Sequence, residues 1–209
     1  MSSRRHMPRV AKRDTKQEVF LASIDLFAER GFRDVSVRDI ARAVGIKPSS
    51  IYNHYASKER IMDDMLDYYL ERMAKFQQRL YDANAEITAD QDLLILLDQV
   101  ALVYDPSEVD LMYKLTRIVH HEQFHFQKAA EALIGEGYRL YVDAHIKCFD
   151  RLSELGLITG TAHNKAYGEL YARLSLTFAT QFLHPEIEPT IDNQSELYGF
   201  VNQLVISYE

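Results

Sequence analysis

The chain has 209 residues, of which 47% are apolar. This suits one medium globular domain, or a small domain joined to a larger one. Because Cys148 is the single cysteine, no intramolecular disulfide can form, which fits a reducing cytoplasm. The basic N-terminus lacks the apolar run of a signal peptide, and no segment reaches the roughly 18 apolar residues of a membrane span. We therefore expect a cytoplasmic protein with no membrane association.

The formal net charge of -7 is unevenly distributed along the chain. Residues 1–60 contain 13 Lys and Arg against 7 Asp and Glu, whereas residues 61–209 contain 11 against 24. A basic head on an acidic body predicts that the head meets a polyanion such as DNA. Short basic N-termini also occur in proteins that bind no nucleic acid, so charge alone leaves both interpretations open.

Two helices are predicted in the first part of the chain. The first covers about Asp14–Arg30, because its apolar residues recur at helical spacing, and Gly31 suits a left-handed C-cap. The second covers Val37–Val44, with Ser36 as its N-cap and Gly45 as its stop. Both are short enough to pack into one small domain.

The rest of the chain is also predicted to be helical. Pro48 suits the first turn of a third helix of about two turns, which reaches Tyr55. Ser57 caps a longer fourth helix over about Lys58–Tyr81. No segment alternates as a strand does, so the chain is predicted to be all-α. Further helices are predicted over 90–104, 107–122, 127–154 (ending at Gly156 and interrupted near Gly135 and Gly137), 163–183 and 193–207.

The second and third helices, joined by a glycine-containing turn and braced by the helix before them, are typical of a helix-turn-helix. The third helix could present its outer face to the major groove of DNA. The segment GIKPSSIYNHY, residues 45–55, carries no carboxylate that would repel phosphates. A plain helical hairpin with a solvated polar face remains an alternative. The residues expected to fill the small core are Val37, Ile40, Ala41, Val44, Ile46 and Ile51.

Four segments carry a family resemblance: ASIDLFAERGF (Ala22–Phe32), SVRDIARAVGI (Ser36–Ile46), SSIYNHY (Ser49–Tyr55) and ASKERIM (Ala56–Met62). In this order and spacing they resemble the DNA-binding domain of the TetR family of bacterial transcriptional regulators. The resemblance implies an N-terminal three-helix helix-turn-helix domain, followed by a helical ligand-binding and dimerisation domain. We expect a flexible basic arm at 1–13, the DNA-binding domain at 14–60, and the effector-binding and dimerisation domain at 61–209.

The resemblance also assigns contacts to a double-stranded DNA operator. Arg38 is expected to reach a base edge, while Tyr52 and Lys58 are expected to clamp phosphates. These side chains suit such roles, since Arg binds guanine bidentately and Tyr and Lys reach phosphate. Pro48 stands where the family often has lysine, which puts one contact in doubt. The predicted DNA-binding residues are Arg38, Lys47, Ser49, Ser50, Tyr52, Asn53, His54 and Lys58.

A different chemistry is suggested by His121-Glu122-Gln123-Phe124-His125, which spells the H-E-x-x-H signature of zinc proteases. On a helix the two histidines would share a face, and Glu122 could act as a general base. A catalytic zinc needs a third protein ligand, and no motif that would supply one follows. We therefore predict no catalytic residue, no metal and no cofactor, and keep a zinc hydrolase as the least favoured alternative.

The effector is predicted to be a small molecule bound in the C-terminal domain. Polar and aromatic side chains recur there at helical spacing, as in pockets that combine an apolar wall with a few polar anchors. Ordinary core-edge positions would give the same pattern. The residues predicted to line one cavity are Tyr113, Arg117, His121, Tyr138, Tyr141 and His145.

The last two predicted helices are expected to form a homodimer as a four-helix bundle. A two-turn recognition helix contacts too few bases alone, so two half-sites are needed. We expect a transcriptional repressor that a small-molecule effector releases from its operator. A constitutive or architectural DNA-binding protein is the alternative. The apolar residues expected at the dimer interface are Tyr167, Leu170, Tyr171, Leu174, Phe178, Phe182, Leu197, Phe200, Val201 and Leu204.

Overall fold

The computed structural model describes residues 14–88, 108–158 and 163–181, and every regular element in these ranges is a helix. The all-α prediction is confirmed for these ranges. The chain divides into two compact units, Met1–Ile61 and Met62–Glu209. The predicted arm and the helices predicted over 90–104 and 193–207 lie outside the described residues.

The N-terminal unit contains α1 (Thr15–Asp34), α2 (Val37–Val44), α3 (Pro48–Ile51) and the first turn of α4 (Lys58–Ala85). Its side chains pack around the two phenylalanines of α1, whose rings meet edge to face with centroids 5.2 Å apart. Val37, Val44 and Ile46 were expected in the core but are only half-buried. The buried apolar residues are Val19, Ile24, Phe27, Ala28, Phe32, Val35, Ile40, Ala41, Ile51, Tyr55 and Ile61.

The predicted end of α1 at Gly31 is wrong. Gly31 has φ 77° and ψ 158°, and the helix kinks there before it continues to Asp34. These angles are accessible to glycine and strained for any residue with a Cβ. The glycine therefore bends α1 and brings Phe32 into the core, where it is 7% exposed.

The start of α2 at Ser36 is as predicted, and a capping box fixes it. The Asp39 N–H donates to the Ser36 hydroxyl at 3.2 Å, and the Ser36 N–H donates to the Asp39 carboxylate at 2.9 Å. These two bonds satisfy backbone donors that a helix N-terminus otherwise leaves unpaired. The hydrogen bonds from Ser36 also hold the pKa of Asp39 below its ordinary value. The boundary between α1 and α2 is thus set locally.

The C-terminal unit contains the rest of α4 and four further helices: α5 (Val109–Glu122), α6 (Gln127–Ala130), α7 (Glu136–Glu154) and α8 (Asn164–Gln181). α4 is one turn longer than predicted. Its buried stripe packs with apolar side chains of α5 and α7 in this unit's core. The largest buried side chains include Met62, Met65, Leu66, Phe76, Leu80, Phe149 and Tyr171.

The helix predicted over 127–154 is interrupted where its glycines indicate. A π-helical segment, Glu131–Gly135, separates α6 from α7, and Gly135 itself is non-helical with φ -104° and ψ -110°. A Cβ on Gly137 would lie 1.9 Å from the carbonyl oxygen of Ala132. The wider π turn therefore depends on a position without a side chain.

The end of α7 is also as predicted. The helix stops at Glu154, and Gly156 follows with φ 70°. The Leu157 N–H donates to the carbonyl of Leu152 at 3.0 Å, which satisfies one of the last carbonyls of the helix.

The crossing of α7 and α8 depends on Gly168. A Cβ at this position would lie 2.6 Å from Cα and 2.7 Å from N of Ile146. Both atoms belong to the backbone, so no side-chain rotation can relieve the contact. The two helices therefore approach more closely than any other residue at position 168 would allow.

We predict that Gly168→Ala destabilises the C-terminal unit, because the two helices must move apart. The expected loss in the free energy of unfolding is about 1–3 kcal/mol, as for other overpacked cores. Denaturant unfolding of the purified variant measures it. Ala166→Ser, at an exposed position of the same helix, should change stability by less than about 0.5 kcal/mol. Equal stability of Gly168→Ala and the parent protein would contradict this account of the crossing.

Candidate nucleic-acid interface

The turn between α2 and α3 is a glycine C-cap followed by a proline start. Gly45 has φ 71° and ψ 35°, and the Ile46 N–H donates to the carbonyl of Ala41 at 2.9 Å. Lys47 is extended and is followed by Pro48 as the first residue of α3. The proline needs no hydrogen bond there because the first N–H of a helix has no partner within the helix. Together these residues fix the direction in which α3 leaves the turn.

α3 is shorter than predicted. It has one α-helical turn, after which residues 52–54 continue as hydrogen-bonded turns. The N–H groups of His54 and Tyr55 both donate to the carbonyl of Ile51 at 2.9 Å. Ile51 and Tyr55 are 1% and 3% exposed, so they anchor this short segment on the core. The residues between the two anchors are therefore turned outwards.

The predicted DNA-contacting surface is largely exposed. Tyr52 has 56% of its surface accessible, which is unusual for a tyrosine. Ser50 is half-buried beside it. An exposed face of hydroxyl, amide, imidazole and cationic groups is suited to phosphates and base edges. The other exposed members of the predicted set are Arg38, Lys47, Ser49, Asn53 and His54.

Arg38 differs from its arginine neighbours in its contacts. Asp39 lies 3.2 Å from Arg42 and 3.9 Å from Arg30, so this carboxylate faces those two guanidinium groups. Arg38, by contrast, forms no ion pair with any residue in the described part of the chain. Its guanidinium therefore needs to break no salt bridge before it contacts DNA.

Lys58 is the one member of the predicted set whose charged group turns inwards. Its ammonium donates to the carbonyls of Phe32 and Val35, both at 2.7 Å, and lies 4.0 Å from the centre of the Phe32 ring. These carbonyls belong to the end of α1, where a cation is stabilised by the helix dipole and by unpaired acceptors. In this structure Lys58 therefore joins α4 to the corner between α1 and α2, and its contact with a phosphate of bound DNA stays a prediction.

We predict that Lys58→Met lowers the free energy of unfolding by about 1–3 kcal/mol, since two buried carbonyls lose a charged donor. The dependence of DNA affinity on salt should stay as in the parent protein. Lys47→Met is the matched variant at an exposed site. It should leave stability unchanged and make the slope of log K against log salt shallower by roughly one unit per half-site.

Denaturant unfolding and salt titrations of both variants distinguish the two roles. If Lys58→Met makes the slope of log K against log salt shallower and leaves stability unchanged, the structural role of Lys58 is contradicted. The phosphate contact that the family resemblance assigns is then supported.

Comparison with known proteins supports this reading of the N-terminal unit. Residues 19–65 match the family described as bacterial regulatory proteins, tetR family. The matched segment contains α2, α3 and the start of α4. Over these residues the chain is similar to the DNA-binding segment of the TetR family of bacterial regulatory proteins. It is a DNA-binding transcriptional regulator.

Individual relatives show how far the likeness extends. The HTH-type transcriptional repressor KstR2 of Rhodococcus jostii is 27% identical over 137 residues, 65% of this chain and 67% of that protein. KstR2 of Mycobacterium tuberculosis is 42% identical, but over 29% of this chain and 30% of its own length. GusR of Salmonella enterica shares the fold, with a TM-score of 0.63, 18% identity and coverage of 94% and 97% of the two chains. Strong sequence identity is thus concentrated in a short segment.

The six residues predicted to line an effector cavity occupy different environments in the C-terminal unit. On α5, Tyr113 and His121 are exposed. On α7, Tyr141 is stacked against Phe76 of α4, and the ring nitrogen Nδ1 of His145 lies 2.8 Å from the carbonyl of Tyr141. Burial lowers the pKa of His145 to about 4, so this imidazole is neutral in the core. A shared role of the six in ligand binding stays a prediction.

The H-E-x-x-H segment does not form the helical arrangement that a zinc site requires. α5 ends at Glu122, and His125 lies in the turn that follows. Glu122 is buried, whereas His121 and His125 are exposed. Across residues 14–88, 108–158 and 163–181, no three His, Cys, Asp or Glu side chains are grouped closely enough to hold a metal ion. The helical premise of the zinc hydrolase is therefore wrong.

The structure also contains an open cavity that the sequence analysis did not predict. It lies among α4, α7 and α8, and none of the six predicted effector residues lines it. Its buried asparagines, Asn84 and Asn164, stand outside any recognised motif, so no sequence signal identifies them. Among the described helices, none has the length and hydropathy needed to cross a lipid bilayer.

Proposed function

We propose that the protein is a homodimeric transcriptional repressor, released from its operator by a small molecule bound in the C-terminal unit. The observation that carries the proposal is the exposed, carboxylate-free surface of α3 and its flanking turns. Such a surface can approach the phosphates and the major groove without electrostatic repulsion. The repressor names of the KstR2 relatives support the direction of regulation.

α4 is the element suited to pass on ligand binding. It runs without interruption from Lys58 to Ala85. Within the C-terminal unit, Lys128 binds the Asp67 carboxylate of α4 at 2.6 Å, and Arg72 of α4 forms an ion pair with Glu108 before α5. A ligand that changes these contacts can shift α4 between two positions. It does so only if it binds the protein more tightly when the helix is in one position than when it is in the other.

We predict that Arg38→Ala weakens operator binding and relaxes the preference at one base pair of each half-site. A bidentate Arg–guanine contact discriminates against the wrong base by about 1–3 kcal/mol. Fluorescence anisotropy with an operator duplex and a scrambled duplex measures both affinities. Arg42→Ala, next to Asp39 on the same helix, is the control and should leave base preference unchanged. If Arg38→Ala lowers the affinity for both duplexes equally, Arg38 does not take part in base recognition.

The dimer is proposed because the recognition segment is even shorter than expected, so one copy reads few bases. α8 exposes Leu170, whose surface is 38% accessible. Tyr171, also expected at the interface, is instead 1% exposed and packs against Phe149, with ring centroids 5.2 Å apart. The side chain of Phe178 and residues 182–209 lie outside the described residues. Leu170 is therefore the better test position.

We predict that Leu170→Glu shifts the protein towards a monomer while each unit stays folded, because a carboxylate is costly to bury at an apolar interface. Sedimentation velocity at micromolar concentration measures the change. Leu21→Glu places the same charge on α1, where the leucine is 42% exposed, and should leave the dimer intact. If the parent protein is a monomer at this concentration, the proposed dimer is contradicted.

A further inference from the structure

The π-helical segment Glu131–Gly135 sets the orientation of the residues before it. Its hydrogen bonds join residues five apart, whereas those of α6 and α7 join residues four apart. The turn therefore contains one residue more than an α-helical turn, and this residue rotates α6 by about 100° relative to α7. Such turns are rare, and many lie at functional sites. Which side chains of residues 127–134 face the core depends on this single extra residue.

Ile134 lies on the outside of the turn, although the pattern of α7 would bury it. Its side chain is 72% exposed. Three positions of α7 that lie three, seven and fourteen residues after it are buried: Gly137, Tyr141 and Cys148. Residues at these spacings share one face of an α-helix, so an uninterrupted helix would place Ile134 on the buried face. Ala132, nine residues before Tyr141, is now 1% exposed and would lie on the opposite face.

The sequence contains features that favour each of two arrangements: the observed turn (the π register) and an uninterrupted helix over 127–154 (the α register). A Cβ on Gly137 would lie 1.9 Å from the carbonyl oxygen of Ala132, so the π register requires glycine at this position. Glu131, Ala132 and Leu133 are favourable residues in an α-helix. Burial of Ile134 would also stabilise the α register. The two sets of contributions oppose each other, as the two states of a switch require.

Lys128 joins the π register to α4. Its ammonium lies 2.6 Å from the Asp67 carboxylate and donates to the carbonyl of Asp63 at 3.3 Å. A rotation of about 100° would move the Lys128 side chain to another face of its helix and break both contacts. The two side chains of the ion pair are 35% and 58% exposed, and an ion pair in such a position contributes little to stability. The register and the hold on α4 therefore change together.

We propose that residues 127–137 switch between the π register and the α register. In the π register Lys128 holds α4 through Asp63 and Asp67. In the α register Ile134 is buried, Ala132 is exposed and Lys128 is released. The effect of this switch on DNA binding rests on the proposed role of α4, which runs without interruption from Lys58 to Ala85.

Two single cysteines introduced into the full chain report the register through their rates of reaction with a maleimide. The natural Cys148 is 1% exposed, and burial raises its pKa to about 12, so it contributes little background. We expect Ile134→Cys to react fast and Ala132→Cys to react slowly, because the first lies outside in the π register and the second inside. Ala144→Cys, at a buried position of α7, is the control that stays unreactive in both registers.

Gly137→Ala should remove the π register, because the added Cβ meets the backbone of Ala132. Combined with each reporter, it should slow Ile134→Cys and accelerate Ala132→Cys, each about tenfold. Acceleration of both reporters would mean local unfolding and would overturn the switch. Unchanged rates in the folded variant would overturn it as well.

Lys128→Met tests the same switch without a steric conflict. The loss of the exposed ion pair should accelerate Ala132→Cys about threefold, since this cysteine reacts through the less populated α register. Circular dichroism should show unchanged helix content, and Ala144→Cys should stay unreactive. If the rate of Ala132→Cys does not change in Lys128→Met, the switch is overturned, whatever the folding of Gly137→Ala.

Operator affinity of the same variants separates the switch from the proposed function. If the reporters show the change of register and operator affinity stays the same, the switch stands and its link to DNA binding is wrong. If a small molecule releases the operator equally from the parent and from Lys128→Met, the repressor proposal stands and the switch takes no part in the release.

Discussion

The contact between the Lys58 ammonium and the end of α1 holds the corner of the DNA-binding domain together. One cation satisfies two carbonyls, lies over the Phe32 ring and stands at the first residue of α4. Without it, a helix end would have unpaired acceptors near the core, which is costly. The capping box of α2 and the turn before α3 then build on this corner through contacts of their own. Lys58, to which the family resemblance assigns a phosphate contact, therefore also stabilises the fold of this domain.

The two units differ in how their polar groups are paired. In the N-terminal unit, Ser36, Asp39 and Lys58 satisfy helix ends and leave the exposed face to cationic and neutral groups. In the C-terminal unit, Nδ2 of Asn84 and Oδ1 of Asn164 are buried without a hydrogen-bond partner among the described residues. Fully paired polar groups fix a conformation, whereas unpaired ones reduce stability until a partner binds.

Sequence patterns predicted the structure correctly where it depends on residues that are close together in the chain. Ser36 and Asp39 are three residues apart, and Gly45 and Pro48 fix the turn through their own backbone preferences, so the helix-turn-helix could be predicted. Gly31 was misread because a left-handed cap and a glycine kink have the same sequence signal. The contacts of Lys58 with the end of α1 were not predicted, because its acceptors are 26 and 23 residues away. The open cavity depends on three helices meeting, which no single segment of the sequence encodes.

Selection of bound duplexes from a random DNA pool by the purified full chain tests the central claim most directly. A dimer that reads one short segment in each half-site enriches inverted repeats, because the two-fold axis of the protein is imposed on the DNA. We expect such repeats, with the strongest base preference at the position that Arg38 contacts. Enrichment of single, non-repeated sites, or no enrichment over the starting pool, would contradict sequence-specific recognition by a homodimer.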